Sequence, residues 1–110
     1  MPFDENLAER VRRAMAAYSE RVEEKRMFGG VAFMYGGHMS CGIVKSELMV
    51  RVGPEAYEET LRLPNCRAMD FTGRPMKGFV FVEEEGCADE AALAEWVGRG
   101  VRYAERLGRT

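Results

Sequence analysis

The sequence has 110 residues, 46% of them hydrophobic and 31% charged, with a formal net charge of −2 at pH 7. That length suits one compact domain over residues 1–110, large enough to bury a core without disulfide or metal staples, and the composition excludes a disordered or fibrous chain. The charge argues against a dedicated nucleic-acid surface, which carries a basic excess, and no stretch reaches the roughly 18 apolar residues of a membrane span.

The N-terminus, "MPFDENLAERV", has acids where a signal peptide has basic residues and an apolar run. From Phe3, apolar residues recur at Leu7, Val11, Met15, Tyr18 and Val22. This spacing of three and four predicts an amphipathic helix over 3–25. Asp4 is its expected N-cap. A β-meander follows. Gly36-Gly37 separates "GGVAFMY" from "HMSCGIV" and suits a two-residue hairpin turn, which requires positive φ at both positions.

A continuous register from that turn sets Tyr35 opposite His38, Met34 opposite Met39, Ala32 opposite Cys41 and Gly30 opposite Ile43. Ser46-Glu47 then turns the chain into "LMVRV", with Ile43 opposite Val50 and Gly42 opposite Arg51. Because strand neighbours alternate faces, one face would carry Gly30, Ala32, Met34, Met39, Cys41, Ile43, Leu48, Val50 and Val52. The other would carry Val31, Phe33, Tyr35, His38, Ser40, Val44, Met49 and Arg51. Pro54 opens a short helix, "PEAYEETLRL", as proline does at a first helical position. "CRAMDF" and "KGFVFV" read as two further strands. Asp89 caps a last helix running to about Leu107, in which Gly98 and Gly100 mark a close helix–sheet contact. The expected fold is α+β: two layers, an antiparallel five-stranded sheet, and the order α-β-β-β-α-β-β-α.

The segments "KRMFGGVAFM", "ELMVRVGPEAYE", "MDFTGRPMKGFVFV" and the helix around "LAEWV" resemble the TfoX N-terminal domain family, over about residues 5 to 107. "MFGG" together with "TGRPMKGF" carries the specificity. The resemblance implies a two-layer α/β fold with an antiparallel sheet in a cytoplasmic bacterial protein. It brings no established catalytic residues. It links the chain to regulators that promote expression of DNA-uptake genes with the catabolite activator protein, and so to transcription machinery as a partner. Those full-length regulators carry a second, C-terminal domain, so the present sequence is read as a stand-alone first domain.

The chemistry-bearing residues point away from catalysis. Gly73 to Gly78 has the G-x-x-x-x-G spacing, but Phe79 and Val80 follow where a phosphate loop has Lys and Ser or Thr, and a strand follows where it has a helix. Cys41, Cys66, Cys87 and His38 lack the paired spacing of a zinc site. His38 is the only histidine and has no evident nucleophile or orienting carboxylate. Cys41 points into the core, whereas Cys66 and Cys87 lie near element ends, where a thiol is accessible. Glu83, Glu84 and Glu85 alternate faces and do not converge. No cofactor or metal is expected.

Two helices covering one sheet face leave the face of Phe33, Tyr35 and Met49 as an apolar contact surface. Arg51 and the loop residues Arg74, Pro75, Met76 and Lys77 would form its stiffened, cationic rim. The reading is a non-enzymatic regulatory domain that contacts a protein partner or a second copy of itself. Two alternatives stay open: a nucleic-acid binder using Arg51, Arg74 and Lys77 with Phe33 and Tyr35 as stacking platforms, and a small enzyme with an unrecognised pocket.

Overall fold

The computed structural model describes residues 3–27, 29–68 and 77–108. Helix α1 spans Glu5–Met15 and passes through a 3-10 segment, Ala16–Arg21, into strand β1, Val22–Met27. Strands β2 (Gly30–Tyr35), β3 (His38–Val44) and β4 (Glu47–Arg51) follow, then helix α2 (Tyr57–Leu61), strands β5 (Cys66–Ala68) and β6 (Phe79–Val82), and helix α3 (Glu90–Gly108). The strands form one antiparallel sheet in the order β1-β2-β3-β4-β6-β5. The α+β class and the antiparallel sheet are as expected, but among the described residues the sheet has six strands rather than five.

The additional strand is β1, which helical periodicity had absorbed into the first helix. Tyr18 and Val22 do pack against the core, but from the 3-10 segment and the strand. Val22 lies opposite Tyr35, and Glu24 opposite Phe33. An edge strand rich in Glu and Lys resists pairing with a further chain. Its Glu24, exposed on the helix side of the sheet, accepts hydrogen bonds from the Arg12 guanidinium at 2.6 and 2.9 Å, and these hold its carboxyl below the ordinary range. They also tie β1 to α1.

Both predicted caps hold. The Asp4 carboxylate accepts from the Asn6 and Leu7 amides at 2.9 and 3.1 Å. The Asp89 carbonyl and carboxylate accept from Leu93 and Ala92 at 2.9 and 3.4 Å. Gly36 and Gly37 have φ of 59° and 87°, the primed turn expected of a two-residue hairpin. Tyr35 then faces His38 and Met34 faces Met39.

Beyond those two pairs the register departs from the continuous one. Ser40 is bulged out of the ladder, so Phe33 lies opposite Cys41, Ala32 opposite Gly42 and Val31 opposite Ile43. The buried Ser40 hydroxyl donates to the Phe33 carbonyl at 2.8 Å, which compensates the interrupted ladder. The next turn falls one residue earlier than expected. Lys45, with φ 57°, and Ser46 form it, so Ile43 opposes Leu48 and Gly42 opposes Met49.

The bulge decides which side chains share a face, since a one-residue slip exchanges the faces of a strand. Val31, Phe33 and Tyr35 join Cys41, Ile43, Leu48 and Val50 in one core with Val80 and Val82. The described helices all cover that side. α1 contributes Leu7, Val11 and Met15, α2 contributes Tyr57, and α3 contributes Leu93, Val97 and Val101. α3 approaches the bulge most closely at Gly100, where a Cβ would lie 2.1 Å from the Ser40 carbonyl oxygen.

Candidate functional site

The expected contact surface is corrected at its centre. Phe33 is 0% exposed and Tyr35 8% exposed, and both lie beneath the chain's own helices. Tyr18 meets the Tyr35 ring edge-on with centroids 6.0 Å apart. Neither Phe33 nor Tyr35 is placed to act as a stacking platform for bases. Arg74, Pro75 and Met76 lie outside the described residues. Lys77 is exposed just before β6.

Met49 and Arg51 lie on the opposite face of the sheet with Val44, as expected, and there they meet Met34 and Met39, expected on the other face, and Phe79 and Phe81, left unassigned. Met49 and Phe81 are cross-strand partners and form a second apolar cluster with Met39, Val44 and Phe79. Met34 belongs to this face through its pairing with Met39. Met34, Met39, Val44 and Phe79 are each partly exposed. Among the described residues no helix packs on this cluster.

Charges of both signs frame it. The Arg51 guanidinium lies 5.4 Å from the centroids of both Phe79 and Tyr103, a cation–π arrangement. Arg67 lies 4.8 Å from the Phe81 centroid and pairs with Glu47 across the face. On β1, the exposed Glu23 and Lys25 pair with Met34 and Ala32.

A second feature lies on the helix side. Val52, α2 and α3 enclose a cleft of about 270 Å³ lined by Ala56, Thr60, Arg99, Arg102, Tyr103 and Arg106. The sequence does carry a signal for it. Arg99, Arg102 and Arg106 stand at spacings of three and four, which places them on one helix face. Arg106 donates to Glu55, in the turn before α2, at 2.9 Å. Arg102 and Arg99 reach the same Glu95 oxygen at 3.4 and 3.6 Å. The second distance is an ion pair but exceeds a hydrogen bond, and the buried Arg99 Nε makes no hydrogen bond. The ring of Tyr103 fits because position 53 is glycine: a Cβ there would lie 2.3 Å from Tyr103 Cε1.

Burial shifts all three thiols toward the protonated form. Burial pushes Cys41 up to about 12, against a weak opposing hydrogen bond from Ser40. It pushes Cys66 up to about 11, with the Arg99 charge pulling partly back. Cys87, expected near an accessible element end, is 2% exposed and is likewise raised by burial. A thiol held protonated neither attacks nor ligates well. Among the described residues no group of three or more His, Cys, Asp or Glu side chains is placed to hold a metal, and no helix is long and apolar enough to cross a membrane.

A family model described as the TfoX N-terminal domain matches residues 13–104. No curated protein and no solved structure matches the chain.

Proposed function

Because the chain belongs to the TfoX N-terminal domain family, we propose that it is a competence-regulator-like, non-enzymatic domain of the cytoplasm, and that it works by protein contact through the open face of its sheet. The observation that carries this reading is the cluster of Met39, Val44, Met49, Phe79 and Phe81 on the face opposite the helices. Methionine-rich surfaces adapt readily to a partner, and aromatic residues, Met and Arg are enriched at interfaces.

The occupant proposed is a second copy of the chain. The face carries Arg51, Arg67 and Lys25 together with Glu47 and Glu23, so it is electrostatically complementary to itself. An isologous two-fold contact, which sets one patch against an identical one, requires that complementarity. The charged edge strand β1 disfavours the alternative of pairing sheet to sheet through its edge.

Sedimentation equilibrium of the wild type beside Met39→Asp tests the reading. The wild type is expected at twice the chain mass and the variant at the single-chain mass, with unchanged circular dichroism. A wild type that stays monomeric at high concentration, or a variant that remains dimeric, would remove the contact-surface proposal.

A further inference from the structure

We infer that the cleft between α2 and α3 binds a small phosphate monoester through Arg99, Arg102 and Arg106. It is lined by arginines other than those that frame the methionine cluster, although Tyr103 of its wall also meets Arg51, so the two proposals are tested by different variants.

The argument rests on how these guanidinium groups are engaged. Arg99 Nε is a buried donor that makes no hydrogen bond and meets only Glu95 Oε2, at 3.6 Å. Such groups are rare in folded proteins and favour a site where an acceptor is supplied. Glu95 offers one oxygen, Oε2, to both Arg99 and Arg102, at 3.6 and 3.4 Å, so neither arginine has the bidentate carboxylate partner that its planar fork suits. The side chains of Arg102 and Glu95 are 64% and 58% exposed, and those of Arg106 and Glu55 are 64% and 78% exposed. Solvated pairs of this kind contribute little and exchange readily for a better acceptor.

The chemical class follows from charge and size. Three arginines lining one cleft match a doubly charged, tetrahedral oxyanion better than a single carboxylate, and arginine is the residue suited to bidentate phosphate recognition. The Thr60 hydroxyl already donates to the Ala56 carbonyl at 2.7 Å, so it is not an anion donor and the arginines carry recognition. A volume of about 270 Å³ suits a compact molecule, with Val52 and Ala56 offering apolar contact for a short carbon portion.

Heteronuclear NMR titration of the whole chain with inorganic phosphate, and then with ethyl phosphate, tests this against sodium chloride at matched ionic strength. Saturating shifts are expected at Thr60 and across the amides of residues 99–106, with ethyl phosphate binding at least as tightly. Arg99→Gln and Arg102→Gln should each weaken binding about tenfold or more. The exposed Arg102 position makes its variant a folded control. Shifts no larger than those from chloride would overturn the inference, as would saturable binding that both variants leave unchanged. So would shifts at these amides from a single-stranded oligonucleotide that ethyl phosphate does not reproduce.

Discussion

Phe33→Ala is expected to destabilise the fold by about 3–5 kcal/mol, lowering the melting temperature by roughly 12 °C or more. Phe33 is the largest of the fully buried side chains. It sits where β2 passes the bulge, with strand side chains on either side and helices above. Truncation would remove the apolar contact and leave a cavity that strands bonded on both edges cannot readily close. Met39 is close in the hairpin but on the other face, partly exposed. Met39→Ala should therefore cost about 1 kcal/mol or less. Equal losses at the two positions, read from urea midpoints, would mean that the faces are assigned wrongly.

Gly100→Ala should also destabilise, by about 2 kcal/mol or more, although alanine is the better helix former by about 1 kcal/mol. A Cβ at position 100 would lie 2.1 Å from the Ser40 carbonyl oxygen and 2.8 Å from its carbon. Both are backbone atoms of the bulge, which Ser40 anchors by its bond to Phe33, so no side-chain rotation relieves the overlap. α3 would have to lift from the sheet over Val97 and Val101. Gly98→Ala is the control. There the nearest atoms are Arg102 Nη1 at 3.2 Å and Tyr18 Oη at 3.5 Å, and the arginine end can swing away. Helix propensity then decides, and Gly98→Ala should be neutral or stabilising by up to about 1 kcal/mol. Thermal denaturation of the two variants distinguishes them by sign.

The elements fixed by local chemistry were legible in the sequence. The caps at Asp4 and Asp89, the turn at Gly36 and Gly37, and the stripe of α3 each depend on residues within a few positions of one another. The β1 strand was hidden because Tyr18 and Val22 are four apart, a helical spacing that a 3-10 turn followed by a strand also satisfies. The bulge was hidden because nothing in "HMSCGIV" marks a serine as the extra residue.

A global signal was nonetheless present. In the continuous register the bulky Val31, Phe33 and Tyr35 face away from Ile43, Leu48 and Val50, leaving apolar side chains on both faces. One inserted residue gathers them into a single core, and that consistency is what specifies register where one face is buried. The membership of the open face was accordingly read in part, with Met49 and Arg51 on it and Phe33 and Tyr35 not. The arginine cleft was a spacing visible in α3, but its meaning required α2 and Val52 to be brought beside it by the fold.

The bulge at Ser40 governs both the core and the open face, and the most direct test reads the β2–β3 pairing itself. Cross-strand nuclear Overhauser contacts in solution should place the Phe33 backbone opposite Cys41 and Val31 opposite Ile43, with Met34 still opposite Met39. Contacts that pair Ala32 with Cys41 and Gly30 with Ile43, continuing unbroken from the Gly36-Gly37 turn, would contradict it.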